Sequence, residues 1–261
     1  MTTIRELKKD AKVRLSGSYF KLLFIYFLYM IIVFAFSALA NFINSNIIKL
    51  VYSIIILIFT VPLSYGFIAC FMDIIRGKKV AITEFINVGL KSISSVWKVY
   101  LRVFLKLILP ILFVFASMFF LLLTLANTIT GGALANYFIL SVVIFMIALV
   151  VLFVMYIYYS FCLYLLKDKP EKTSKEIVQM SHDLMKGNII KYIGLSLSFI
   201  GWYLLIFAIC FLCTYVLPQN AVSLIMEIGF LLLFPYITTT MIGFYEDILY
   251  DKTNAAEKEN S

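Results

Sequence analysis

An all-α bundle of six membrane-spanning helices is the fold class this sequence predicts, and three observations lead there. Hydrophobic residues make up 63% of the chain, against the ~45–50% usual in soluble domains, and mean hydropathy is +1.02. Charged residues, 14% of the total, fall in blocks between long apolar runs. Six runs reach the ~20 residues needed to cross ~30 Å of hydrocarbon: Phe20–Asn41, Leu50–Met72, Val103–Ala126, Tyr137–Leu166, Tyr192–Val216 and Ala221–Tyr245. The runs are continuous rather than alternating, which excludes a β-barrel.

The net charge of +8 invites a nucleic-acid partner, but its distribution argues against one. Of the 22 Lys and Arg residues, all but Lys49 lie in the N-terminal segment, the second and fourth connections with the helix feet beside them, and the C-terminal tail. Positive-inside bias then places both termini in the cytoplasm. The four cysteines (Cys70, Cys162, Cys210, Cys213) sit in apolar runs and imply no disulfide framework. Cys210-x-x-Cys213 has redox spacing but no nearby cation to lower a thiol pKa, and reads as two small buried hydrophobes.

Taken in order, Thr3-Ile4-Arg5-Glu6 has capping-box spacing. Ile4, Leu7, Ala11 and Leu15 follow at helical spacing, with basic residues on the other side. An amphipathic helix along the inner leaflet is expected, until Gly17 turns the chain into the membrane. Ala38-Leu39-Ala40 after a basic start resembles a signal-peptide cleavage site, but the apolar run is long enough to span and stays in the bundle. Pro62 should kink the second helix, and Gly66 with Cys70 offers a small-residue face to a neighbour.

Ile82, Phe85, Ile86, Gly89, Leu90, Ile93 and Val96 mark a second amphipathic helix, followed by Trp97 and Tyr100 at headgroup level. The second hairpin crosses through Pro110, turns at Gly131-Gly132 and returns through Tyr156, Tyr158, Tyr159 and Tyr164. That returning run is longer than a bilayer needs and should tilt or protrude. Thr173-Ser174-Lys175-Glu176 is a second capping box; Ile177, Met180 and Leu184 then mark a third amphipathic helix, which carries His182. A lone histidine has neither the co-ligands of a metal site nor a proton-relay partner. The three surface helices begin near residues 3, 83 and 173, each before a hairpin, and read as a degenerate three-fold repeat. The organisation expected is one domain, 1–249, with hairpins about 18–73, 98–168 and 187–249, then a short polar tail, 250–261.

In the last hairpin Gly194, Ser198 and Gly201 form a close-packing side, and Trp202 near mid-membrane should face protein or a cavity. Pro235-Tyr236 followed by Thr238, Thr239 and Thr240 is the expected place for irregular helix geometry at membrane depth. Glu227 admits two readings. It is an intramembrane carboxylate for proton, cation or amine contact, or the sixth helix shifts to 228–249 and leaves it at the outer surface. The second is favoured, because no basic partner is evident in the outer half.

Several blocks carry a family resemblance: Met185-Lys186-Gly187, Leu197-Ser198-Phe199-Ile200-Gly201-Trp202, Pro235-Tyr236 and Phe244-Tyr245-Glu246, with Arg5 through Gly17 and the Gly66…Arg76-Gly77…Phe85 block. Together they resemble a bacterial integral-membrane family, domain of unknown function nine hundred seventy-five, over nearly the whole chain. The segment Cys210-Phe211-Leu212-Cys213 departs from the glycine-containing turn expected there. The resemblance implies a protein of the bacterial cytoplasmic membrane, distantly similar to membrane domains of glycerophosphodiester phosphodiesterases. It brings no catalytic residues.

No nucleophile motif, phosphate loop or metal-ligand spacing is present in the sequence, so no enzyme, metal or cofactor is expected. The leading expectation is a non-enzymatic module that handles or senses lipids or other amphiphiles, or is accessory to another membrane protein. Its partners would be the bilayer, a bound lipid or that protein. The alternative is a small-solute or proton-coupled transporter or channel. Candidate intramembrane functional residues are Glu227, Trp202, Pro235, Tyr236 and Thr239; Lys186, Gly187, Tyr245 and Glu246 form a candidate cytoplasmic-face motif.

Overall fold

The computed structural model describes residues 2–259. It is 85% helical, without a strand among the described residues, and six of its helices are long and apolar enough to cross a membrane. Large apolar side chains such as Phe34, Leu109, Phe119, Ile139 and Leu204 are exposed along them. So extensive an apolar exterior is stable in lipid and a liability in water.

In chain order the helices are α1 (Ile4–Leu15), α2 (Tyr19–Leu39), α3 (Asn46–Ile75), α4 (Glu84–Lys91), α5 (Ile93–Thr130), α6 (Phe138–Tyr158), α7 (Cys162–Asp168), α8 (Ser174–Met185), α9 (Ile189–Leu197), α10 (Ile200–Cys213) and α11 (Gln219–Glu259). α11 continues through the segment read as a polar tail; Asn260, Ser261 and the side chain of Lys258 lie outside the described residues. The chain gathers into two compact units. One runs up to Trp97 and resumes at Ile190; the other is Lys98–Ile189.

In the first unit α3 is the hub: it buries ten residues from Pro62 to Ile74, whereas α2 buries Leu22 and Ile25. Tyr26, Phe67, Phe71 and Phe234 interlock α2, α3 and α11, with Tyr26 stacked on Phe234 at 3.8 Å and Phe67 and Phe71 at 4.5 Å. α4 lies against α3 through two glycines. A methyl group on Gly66 would collide with the Phe85 carbonyl oxygen, and one on Gly89 would come within 2.8 Å of the Pro62 carbonyl oxygen. Gly66 therefore serves the close approach expected of it, with α4 as the partner.

The amphipathic stripe from Ile82 to Val96 does not form one surface helix. α4 stops at Lys91, the backbone bends at Ser92, and Ile93, Val96 and Trp97 belong to α5. Phe85 is fully buried while Ile82 and Leu90 stay exposed. Trp97 also repairs a proline break. Pro62 has no N–H, so the carbonyl four residues back, on Ile58, loses its helical donor. The Trp97 indole N–H donates to that carbonyl at 3.1 Å.

In the second unit the hydroxyls of Thr124 on α5 and Ser141 on α6 share a buried hydrogen bond of 2.7 Å. The long fourth run is not one helix. At Tyr159 and Ser160 the N–H groups bond three residues back, to Tyr156 and Ile157, and the chain restarts as α7. The 21 residues of α6 alone suffice to cross a bilayer. Ser181 on α8 donates to the Tyr158 carbonyl at 3.0 Å, and His182 stacks on the Tyr158 ring at 4.5 Å.

α1 and α8 are each 12 residues long and open with complete capping boxes, Thr3/Glu6 and Thr173/Glu176. α4 departs from that pattern: Thr83 is helical in φ/ψ and makes no side-chain cap. At the end of α3, Gly77 takes φ +80° and the Lys78 N–H closes back on the Asp73 carbonyl, a turn that needs glycine.

Gly66→Ala should lower thermal stability in detergent by at least the ~1–3 kcal/mol of an overpacked core, since its neighbours are backbone and cannot yield. Gly201→Ala, with nothing near its position, should leave the melting temperature unchanged. A pH response follows from the capping boxes. The Thr3 and Thr173 backbone N–H and hydroxyl groups hold the Glu6 and Glu176 carboxyls below the usual range. Their contribution is present above the unfolded value and is lost as pH falls through the lowered folded value. Protection of the first-turn amides of α1 and α8 against hydrogen exchange, measured relative to the intrinsic rate at each pH, should therefore fall on acidification, and Glu6→Gln should flatten the response in α1 alone.

Candidate functional site

The site is built where α1 and the start of α2 meet α10 and α11. α1 turns Leu7, Ala11 and Leu15 inward and packs on α11, which brings Lys8 and Lys12, one turn apart, over the aromatic residues of the last hairpin. The Lys8 ammonium lies 4.3 Å from the Phe199 ring centroid and that of Lys12 5.8 Å from the Tyr236 ring centroid. Phe199 and Tyr236 themselves meet edge to face at 5.4 Å.

Lys8 has a second task. The fifth apolar run, expected as one helix, breaks between α9 and α10. There the Trp202 N–H bonds the Phe199 carbonyl, and the Lys8 ammonium donates to the Ser198 carbonyl at 2.7 Å. Burial first, and the neighbouring Lys12 charge second, push the Lys8 pKa down. The irregular geometry expected at Pro235 is thus found in the preceding helix instead, while α11 runs unbroken through Pro235. The Leu231 carbonyl, four residues before Pro235, loses its N–H partner. One residue on, the Leu232 carbonyl receives the Tyr19 hydroxyl at 2.8 Å.

Between these elements runs a groove of about 510 Å³. Its polar lining is Lys12, Ser16, Tyr19 and Tyr236, with the Lys12 ammonium at the Tyr236 ring. The remainder is apolar, walled by Trp202, Leu205 and Ile209 of α10 and by Gly229, Leu232 and Leu233 of α11. From Trp202 to Ile209 the helix rises about 10 Å at ~1.5 Å per residue. Gly229 lets Ile206 approach, as a methyl group there would lie 3.1 Å from it. Lys12 makes no ion pair and the Trp202 indole N–H no hydrogen bond among the described residues.

Of the intramembrane candidates, Trp202 and Tyr236 thus share one groove, with Pro235 beside it. Trp202 lines the groove and is 46% exposed. Thr239 is fully buried in α11 with its hydroxyl unpartnered, whereas Thr240 bonds the Tyr236 carbonyl at 2.7 Å. Glu227 is exposed on α11, nine residues before Tyr236 and hence about half a turn around the helix from it. It does not line the groove. Of the expected small-residue side of the fifth run, only Gly194 makes a close approach, to Ile4; Ser198 lies at the break and Gly201 faces open space.

The face motif divides between the units. In the second, Lys186 is exposed after α8 and Gly187 takes φ +88°, a left-handed turn that favours glycine. In the first, Tyr245 is fully buried and Glu246 joins two arginines: Arg14 of α1 binds Oε2 at 2.5 Å and Arg76, after α3, binds Oε1 at 2.9 Å. Beside it Asp247 accepts from Lys191 at 2.9 Å and from the Thr2 backbone N–H at 3.2 Å. These pairs are only 12–34% exposed, so they outweigh the ~0–1 kcal/mol of a fully exposed pair. Sequence reasoning singled out Glu246 but not Arg14, Arg76, Lys191 or Asp247 as its companions, and it missed Lys8, Lys12 and Tyr19. No local spacing links α1 to α11.

Residues 1–252 match the family described as Protein of unknown function (DUF975). The chain belongs to that family. No curated protein matches it, and no solved structure does. Family membership covers both units and assigns no reaction or ligand to either.

Thr239→Val should leave the fold intact and raise its stability by up to ~1–3 kcal/mol, the usual cost of an unsatisfied buried hydroxyl. Denaturation in detergent of the two proteins side by side measures it.

Proposed function

We propose that this protein is a non-enzymatic membrane module that binds an anionic amphiphile in the groove beside Trp202. The observation that carries the reading is the make-up of that groove: a free ammonium, Lys12, beside the Tyr236 ring, and apolar walls over the rest of its lining. A phosphate or carboxylate headgroup fits Lys12, and an acyl chain fits the channel between α10 and α11. Trp202 offers an indole N–H to an ester or headgroup oxygen.

The protein resides in the cytoplasmic membrane of a bacterium, with both termini and the basic connections inside. This puts Lys12 at the inner leaflet, where anionic headgroups are available. Whether it acts alone or as accessory to a second membrane protein, the ligand is the same. Transport coupled to Glu227 is the weaker reading, since that carboxylate lies about half a turn of α11 from the groove-lining Tyr236.

Quenching of tryptophan fluorescence tests the proposal, because the chain holds 2 tryptophans and Trp202 lines the groove. In bilayers with brominated acyl chains, phosphatidylglycerol should quench more than phosphatidylcholine at equal mole fraction. The part of this preference that Trp202→Phe removes should also fall about fivefold in Lys12→Gln, the effect of ~1 kcal/mol per interfacial lysine. Equal quenching by the two lipids, or a Lys12→Gln protein with wild-type preference, overturns it.

A further inference from the structure

The second compact unit carries a different charged surface. Lys98, Arg102 and Lys106 recur at every fourth position of α5 and so stand on one face of the helix. Like charges four residues apart repel. In the first unit Arg14, Arg76 and Lys191 are neutralised by carboxylates. The three cations of α5 make no ion pair or hydrogen bond among the described residues. Glu176 of α8, two residues after the groove-lining Ser174, is engaged by its capping box and by Lys172 at 3.3 Å.

These cations line an open groove of about 710 Å³ together with Leu101, Leu105 and Ser174, the first residue of α8. The partial positive charge of that helix start adds to the field but does not create it. Directly beside the cationic face runs a second one. Leu101, Leu105 and Leu109 repeat at the same spacing, one position out of register, and are 56%, 66% and 75% exposed. The two stripes climb together. The cationic one rises about 12 Å at ~1.5 Å per residue, from the helix foot into the apolar span that begins at Val103.

An unpaired cationic ladder at the start of a membrane span calls for an anion. The leucines alongside specify one that brings its own hydrocarbon. We propose that this face of α5 is a binding site for an anionic glycerophospholipid. Its phosphate sits among Lys98, Arg102 and Lys106, and an acyl chain lies along Leu101, Leu105 and Leu109. The guanidinium of Arg102, central in the ladder, can hold two phosphate oxygens at once. The site is independent of the groove beside Trp202, whose residues all belong to the other unit.

Native mass spectrometry of the full chain in a neutral detergent, titrated with phosphatidylglycerol or phosphatidylcholine, tests it. Wild type should bind phosphatidylglycerol preferentially. The variant Lys98→Gln/Arg102→Gln/Lys106→Gln should lose at least tenfold in that affinity, with phosphatidylcholine binding unchanged. Removing mutually repelling charges should not impair folding; Arg102→Gln alone, expected to lose about fivefold, provides a second reading of the same site. Lys12→Gln should leave this component intact, which separates it from the other groove. Undiminished phosphatidylglycerol binding in both ladder variants overturns the proposal. So does displacement of the lipid by millimolar inorganic phosphate, which would mark a site for soluble anions.

Discussion

A backbone carbonyl released inside an apolar medium has to find a donor, and this requirement organises the first compact unit. Water cannot supply the missing hydrogen bond there, and each orphaned group costs several kcal/mol. The chain loses a helical hydrogen bond at Pro62 and at Pro235, and its helix breaks at Ser198. At or beside each of these places a side chain from a distant part of the sequence arrives: Trp97 at Ile58, Lys8 at Ser198, and Tyr19 next to the carbonyl freed by Pro235. These three contacts are long-range ties. They hold α5 to α3, α1 to the α9–α10 joint, and α2 to α11.

The groove follows from those ties. Lys8 and Tyr19 bring the end of α1 and the start of α2 onto the last hairpin, and Lys12, lying between them in sequence, is carried to the groove without a carboxylate of its own. Further along, the carboxylates are already taken. Glu246 bridges Arg14 and Arg76, and Asp247 receives Lys191 and the Thr2 N–H. The same helix thus contributes a neutralised ionic cluster at Glu246 and Asp247 and an apolar wall about four turns earlier. The unneutralised charge is left where an amphiphile can reach it.

Much of the architecture was legible in the sequence because its causes are local. Run length and charge blocks gave the six helices, and Thr-x-x-Glu spacing gave the starts of α1 and α8. Gly66 announced a close helix contact without naming its partner. What was not legible depends on pairs far apart in the chain. The Ile82–Val96 stripe is continuous in periodicity, yet only α4 is held in the α3–α4 glycine seam, and the helix divides at Ser92. Similarly, nothing local distinguishes Ser198 from a serine inside a helix, because the group that makes its break tolerable is Lys8. Trp202 and Tyr236 were singled out by depth and by proline chemistry. The lysine that gives their groove its charge was read only as one of a basic cluster.

The tie between Thr2 and Asp247 spans 245 residues, and that between Arg14 and Glu246 spans 232. α1 is therefore made well before its partner, which follows more than 230 residues later. At ~5–20 residues per second the ribosome leaves α1 waiting roughly 10–50 s for α11. Through that interval the stripe of Leu7, Ala11 and Leu15 lacks the surface that finally buries it. Burial of that stripe is thus a late event in synthesis, complete only once the chain has been made through Asp247.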